Sequence, residues 1–316
     1  MNKVSDMCEA QITNEPLHNS KLVLGAVLSL FDGISCGQVA LNKAGIKYNE
    51  YYASEIDKYA IQIAQKNYPN TKQLGDVCKL NTSSLPKIDF LIGGSPCQNL
   101  SNVNVYSDAK GLDGGKSKLF WEFVRVFNEV KPRYFLLENV GSANVNDIEI
   151  INKELGVVGK KYNSKNLSKQ YRNRIYWTNI PFDENYSEPQ ESMKTILQSQ
   201  VEDKYYISEK MRDYIMSVGT GGWQSGKLEI DLDIARPLTA TMHKMHRADT
   251  DNYVTGIAPQ GKTNIRKLTP LECERLQTLP DNYTCGVSDT QRYIMIGNGW
   301  TIEPIVHILS YIQEPS

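Results

Sequence analysis

The chain has 316 residues, 40% of them hydrophobic and 22% charged, with a formal net charge of −1. That length suffices for one large core or one core plus an insertion, and near-neutrality excludes binding to polyanions through bulk charge, so any nucleic-acid contact must come from local clusters. No apolar run of about 18 residues occurs, which excludes a membrane-spanning helix, and the polar first 19 residues read as a weakly ordered arm, not a secretory leader. Six cysteines, at 8, 36, 78, 97, 273 and 285, are scattered without metal-ligand spacing, so no metal site is expected. A reducing, intracellular setting suits a chain in which Cys97 acts as a free thiol.

In chain order, Val27-Leu28-Ser29-Leu30-Phe31 reads as a buried strand that runs through Asp32-Gly33-Ile34-Ser35-Cys36-Gly37 into a helix ending near Ala44. Strand, glycine turn and helix open a Rossmann-like unit, but the Gly-x-Gly-x-x-Gly fingerprint is missing. That favours an adenosine ligand without phosphates over a pyrophosphate cofactor. A second strand over 50–54 ends at Glu55, an acid placed to meet a ribose hydroxyl. A helix over 57–68 and a strand toward Gly75-Asp76-Val77 follow. The apolar run 88–92 predicts a central strand leading through Gly93-Gly94 and Ser95-Pro96 to Cys97, at the edge where open α/β sheets bind ligands. The polar loop 102–118 has the length of a functional lid.

Leu119, Phe120, Phe123, Val124, Phe127 and Val130 recur at helical spacing, predicting an amphipathic helix over 117–130 whose apolar stripe is core. The strand 134–137 delivers Glu138-Asn139-Val140 at its carboxyl end. The stretch 160–174 carries six basic residues and no acid. The alternation of Tyr171, Asn173, Ile175 and Trp177 against Arg172 and Arg174 predicts a strand with both arginines on one face. From about 181 to 262 the pattern loosens into turns and basic loops, and His243 and His246 lack partners at metal spacing. Thr269-Pro270-Leu271-Glu272 is a capping box with proline at the first helical position, and a last helix is expected over 302–312.

Ser95-Pro96-Cys97-Gln98 resembles the nucleophile motif of the cytosine-C5 DNA methyltransferases, and companion motifs follow in order from about 27 to 308. Glu138-Asn139-Val140 resembles the family's acid motif, and Gln170-x-Arg172-x-Arg174 its Gln-x-Arg-x-Arg motif. The resemblance implies an α/β fold, the Rossmann-like S-adenosylmethionine-dependent methyltransferase fold. Its mostly parallel sheet would be flanked by helices and carry a small irregular target-recognition insertion. It implies an arm over 1–26, a catalytic and cofactor-binding domain over 27–180, a recognition segment over 181–262, and a return to the catalytic domain over 263–316. It implies S-adenosyl-L-methionine as cofactor, with Phe31 and Ile56 on the adenine, Glu55 on the ribose and Asp76 at the adenine amino group. Asp32, Gly33, Val77, Asn298 and Trp300 complete that pocket. Double-stranded DNA is the implied substrate, with contacts from Ser101, Gln170 and the Arg236, Thr239 and Thr241 segment; a cognate restriction endonuclease is a candidate partner. Thr278-Leu279-Pro280 stands where the family often has Gly-Phe-Pro. Trp300, the Lys118-Leu119-Phe120-Trp121-Glu122-Phe123 stretch and the short recognition segment resemble the animal de novo enzymes.

The chemistry expected is methyl transfer to C5 of a flipped-out cytosine through a covalent Cys97–C6 adduct. Glu138 would serve the ring at N3, which asks for a carboxyl that can carry a proton, with Arg172 and Arg174 on the same rim and the loop 99–115 as clamp. Three other readings stand beside this one: an RNA (tRNA) cytosine-C5 methyltransferase, a non-catalytic DNA-binding paralogue, and a nicotinamide dehydrogenase. The first shares the chemistry, the second leaves the retention of Cys97, Glu138, Arg172 and Arg174 unexplained, and the third lacks its glycine fingerprint.

Overall fold

The structure, a computed structural model, describes residues 22–94, 118–217, 228–244 and 247–312. Cys97, Ser101, His246 and the expected clamp loop lie outside them. The described chain divides into two compact units, one drawn from 22–163, 173–186 and 302–312, the other from 164–172 and 187–301.

The first unit is built on a seven-stranded sheet of β1 (Val23–Leu30), β2 (Lys47–Ser54), β3 (Lys72–Gln73), β4 (Ile88–Gly94), β5 (Tyr134–Val140), β6 (Lys160–Asn163) and β7 (Asn173–Thr178), in the order β3-β2-β1-β4-β5-β7-β6. The β1–β2, β2–β3, β1–β4 and β4–β5 pairings are parallel, while β7 runs antiparallel to both β5 and β6. This is the mostly parallel sheet that the sequence predicts. Strands β1 and β4 are covered on both faces and read as near-continuous apolar runs for that reason. Sequential strands diverge from β1 in opposite directions, so β1 and β4 form the topological switch point outside which ligands bind.

Four helices follow the strands: α1 (Cys36–Lys43), α2 (Lys58–Asn67), α3 (Lys118–Val130) and α4 (Val145–Leu155). Asp57 caps α2 by accepting from the Tyr59 and Ala60 amides. Phe120, Phe123 and Val126 of α3 and Ile151 and Leu155 of α4 are buried in the core cluster with Leu28, Leu91 and Leu137. Each such side chain contributes about 1.5–3 kcal/mol by leaving water. The C-terminal helix, Ile302–Leu309, returns to this unit, where Glu303 pairs with Lys43 of α1.

Strand β7 begins at Asn173, later than the alternation implies, so Arg172 precedes it and belongs to the second unit. The expectation of one strand face bearing both arginines fails here. Arg172 is drawn to backbone carbonyls described below, and Arg174 alone stays in the sheet.

The second unit holds α5 (Glu209–Ser217), the antiparallel pair β8 (Tyr253–Thr255) and β9 (Ile265–Lys267), α6 (Pro270–Leu276) and α7 (Asp289–Asn298). The capping box is formed: Thr269 Oγ1 accepts from the Glu272 amide, Glu272 accepts from the Thr269 amide, and Pro270 opens α6. Glu272 is also clasped in bidentate fashion by Arg266, at 2.8 Å on each oxygen. Leu238, Val254, Leu276, Tyr293 and Ile296 form the apolar cluster of this unit. Among the described residues, no helix is long and apolar enough to cross a membrane, and no group of three or more acidic, histidine or cysteine side chains is arranged to hold a metal.

Candidate active site

The carboxyl ends of β1, β2, β4 and β5 share one edge of the first unit, because these strands are parallel. At the exit of β1 the backbone turns left-handed at Phe31 (φ 58°) and again at Gly33 (φ 57°). A side chain at position 33 would have open space but a strained backbone, which makes glycine the residue for that turn. The Gly33 amide donates to Glu55 Oε2 at 2.8 Å, and the Ile56 and Asp57 amides donate to Glu55 Oε1 at 2.7 and 2.9 Å. Glu55 therefore ties the β1 turn to the β2 exit. A carboxylate has about four acceptor sites, so capacity for one further hydroxyl remains. Ile56, beside it, is 75% exposed. Asp76 caps the short turn Val77–Lys79 by accepting from the Cys78 amide, and Val77 is buried.

Asp32 is the electrostatic anomaly of this edge. It is buried, Tyr51 donates to its Oδ1 at 2.9 Å, and its Oδ2 has no hydrogen-bond partner. Burial pushes its carboxyl up to about 6, with the nearby Glu55 charge adding to the rise and the Ser29, Ser35 and Tyr51 hydroxyls opposing it. An orphaned acidic oxygen, a locked carboxylate and an exposed apolar side chain around one glycine turn fit S-adenosyl-L-methionine, which carries an ammonium, a ribose diol and a flat base.

On β4 and β5, Gly94 pairs with Glu138 in register, so the strand that leads to Cys97 ends beside the acid. Glu138 is buried, and Arg174 Nε meets its Oε1 at 2.6 Å. The antiparallel run of β7 pairs Val140 with Arg174, bringing an arginine from the start of β7 to the carboxyl end of β5. Glu138 and Arg174, which the family resemblance puts on one rim, are thus in contact.

Arg172 is not. Its guanidinium donates to the Leu238 carbonyl at 2.7 Å and to the Gly297 and Gly299 carbonyls at 3.2 and 3.0 Å, all within the second unit. Gln170 is fully buried: its side chain donates to Gln277 Oε1 at 3.0 Å and accepts from the Leu238 amide at 2.7 Å. Such a side chain shapes the Leu238 segment and has no group turned to a base. Arg236 likewise binds the Ala248 and Asp251 carbonyls and pairs with Glu229. The hydroxyls of Thr239 and Thr241 are exposed, 3.2 Å apart. Asn298, at the end of α7, is exposed and Trp300 half-buried, both in the second unit. Gln277, the end of a Glu274-Arg275-Leu276-Gln277 stretch that resembles the family's motif scaffolding the recognition segment, joins Gln170 to Thr301 and to the Ile296 carbonyl, partners too distant along the chain for a local pattern to name. Tyr51 was equally silent, a tyrosine within an ordinary strand.

The model of the family described as C-5 cytosine-specific DNA methylase matches residues 25–314. The chain is 31% identical over 324 residues to the type II methyltransferase M1.ScrFI of Lactococcus lactis subsp. cremoris, covering 93% of this chain and 79% of that protein. It is 28% identical to the type II methyltransferase M.HhaI of Haemophilus parahaemolyticus, over 90% of this chain and 92% of that one. Among solved structures, Entamoeba histolytica methyltransferase EhMeth superposes with a TM-score of 0.73 at 19% identity, covering 92% of this chain and 98% of that one. The S. pombe Dnmt2 methyltransferase gives 0.68 at 16%, covering 90% and 97%.

Proposed function

The chain belongs to the C-5 cytosine-specific DNA methylase family, and from that premise we propose how its own residues divide the work. It is an S-adenosyl-L-methionine-dependent DNA (cytosine-5-)-methyltransferase. Bound at the β1–β2 edge, the cofactor supplies an electrophilic methyl group on its sulfonium. Phe31 and Ile56 would pack on its adenine, Glu55 would take a ribose hydroxyl, Asp76 the adenine amino group, and Asp32, Gly33 and Val77 the rest; the resemblance adds Asn298 and Trp300 to the residues proposed to bind it.

Cytosine C5 is too weak a nucleophile to take a methyl group unaided, so covalent catalysis divides the barrier. Cys97 adds as thiolate to C6, which makes C5 electron-rich; after methylation, loss of the C5 proton breaks the sulfur–C6 bond and restores the ring. Glu138 passes a proton to N3 as negative charge develops there, and Arg174 fixes that carboxyl in place. The observation carrying this division is the register of Gly94 with Glu138, which brings the strand leading to Cys97 beside the acid that Arg174 holds.

The target base is swung out of the duplex to reach these groups. Ser101, Thr239 and Thr241 are the proposed DNA contacts, and Arg236, Gln170 and Arg172 hold the backbone at Leu238 and Ala248, on the segment that carries the two threonines and the loop after it. The proposed arm, catalytic, recognition and return segments run over 1–26, 27–180, 181–262 and 263–316, although 164–172 groups with the second unit and only 302–312 of the return segment groups with the sheet. The type II names of the relatives support a cognate restriction endonuclease as partner and an intracellular setting. Methyl transfer to duplex DNA and to transfer RNA is the test. We expect transfer to the duplex alone, abolished by Cys97→Ala and lowered about 100-fold by Glu138→Gln. Transfer surviving Cys97→Ala would refute the covalent route.

A further inference from the structure

We propose that Tyr51 is a positioning residue for cofactor binding: its hydroxyl fixes one oxygen of Asp32 so that the other is held open for the cofactor's ammonium, and position 37 is glycine to admit that hydroxyl. The proposal rests on the reading of Asp32 as a cofactor residue and adds the parts that set its geometry. Tyr51 lies inside β2, is 3% exposed, and donates to Asp32 Oδ1 at 2.9 Å. Asp32 Oδ2 is buried with no partner. A carboxylate oxygen left bare in the interior is unfavourable unless something meets it, and a ligand ammonium is the group that offsets both its charge and its missing hydrogen bond.

Gly37 carries the second observation. It sits in the first turn of α1, where alanine would stabilise the helix by about 1 kcal/mol. A Cβ there would fall 2.7 Å from the Tyr51 hydroxyl and 3.6 Å from Ile92. The helix gives up that stability and the space goes to the hydroxyl. The surrounding turn is held in a demanding backbone. Phe31 (φ 58°) and Ser35 (φ 63°) are both left-handed without being glycine. The Gln38 side-chain amide donates to Ser35 Oγ and Thr71 Oγ1, each at 2.8 Å, and Tyr48 donates to Gln38 Oε1 at 2.7 Å.

The groups facing Asp32 are the Ser29, Ser35 and Tyr51 hydroxyls, with the Glu55 carboxylate as the nearby charge and Tyr48 packed against Tyr51. Burial and the neighbouring Asp32 charge keep the Tyr51 hydroxyl protonated, hence a donor. Asp32 binds an ammonium as the ion. With its carboxyl near 6, cofactor affinity falls as pH drops through that value. Removing the Tyr51 donor raises that carboxyl further, so affinity is lost at a higher pH.

The test uses calorimetric binding of S-adenosyl-L-methionine and of 5′-methylthioadenosine, which lacks the amino-acid end, to the full chain across pH 5.5–8.5, alongside KM and kcat. Tyr51→Phe should weaken S-adenosyl-L-methionine about tenfold at neutral pH, leave 5′-methylthioadenosine unchanged, and move the midpoint of the affinity profile upward, the loss falling on KM. Gly37→Ala should weaken S-adenosyl-L-methionine in the same way. Tyr51→Phe with Gly37→Ala should be no worse than Tyr51→Phe alone, since phenylalanine leaves nothing to collide with the new methyl group. Equal losses for both ligands, or wild-type affinity in Tyr51→Phe, would overturn the proposal. Asp32→Asn separates the two layers. If it binds S-adenosyl-L-methionine as wild type does, the placement of Asp32 itself is wrong. If it binds weakly while Tyr51→Phe binds normally, only the role of Tyr51 falls.

Discussion

Two acids are buried in this protein to a similar degree and treated in opposite ways. Glu272, at the start of α6, accepts from both Arg266 terminal nitrogens and from the Gln198 and Thr269 amides. Asp32, after β1, has one oxygen held by Tyr51 and the other without a partner. The first is closed and ties β9 to a helix start; the second is buried with one oxygen unpartnered, just past the end of β1. A buried acid whose acceptors are all taken is architecture, whereas the one left incomplete at a switch point is the one proposed above to meet the cofactor.

The largest expected effect tests the closed acid. Glu272→Ala strands the Arg266 charge and should destabilise the protein by about 3–5 kcal/mol in denaturant unfolding, and replacing both partners, Arg266→Met with Glu272→Leu, should recover most of the loss. If the single change were mild, Glu272 would not be the closed pair described. The open acid should respond with the opposite sign. Asp32 holds its proton more tightly folded, near 6, than unfolded, near 3.8, so stability falls as pH rises through that window. Asp32→Asn should therefore stabilise the unliganded protein at pH 8, on the order of 2 kcal/mol, with the gain vanishing below pH 4. A melting-temperature series across pH reads this directly, and an unchanged difference at every pH would contradict it. Thr269→Ala sets the lower end of the scale. It removes one cap and leaves the Arg266–Glu272 pair, for a loss of about 1 kcal/mol by the same unfolding measurement.

What could be read from the residues was whatever is local. The runs of β1 and β4, the glycine turn and the Thr269-Pro270 cap each announce themselves within a few positions, because apolar period and cap chemistry act over one or two turns, while Glu55 and Glu138 are legible only as acids that follow apolar runs. Strand β6 was hidden in a basic stretch, and the alternation around Arg172 and Arg174 gave one face where the chain supplies two destinations. A period fixes which way side chains alternate, but not where pairing starts. Pairing here begins at Asn173 because Arg172 finds its carbonyls at Leu238, Gly297 and Gly299, more than sixty positions away. The burial of Gln170 by Gln277 and the approach of Tyr51 to Gly37 are hidden for the same reason: each depends on contacts between segments, and no local pattern encodes them.

The strand order bears on how the protein is made. All seven strands, and with them the Glu138–Arg174 pair, lie before residue 187, whereas most of the second unit comes after it. On the ribosome, the whole sheet is therefore translated before the later stretch, and the helix Ile302–Leu309, whose Glu303 pairs with Lys43, follows that stretch. Synthesis from one end to the other hands the sheet its closing piece after everything between has been threaded out.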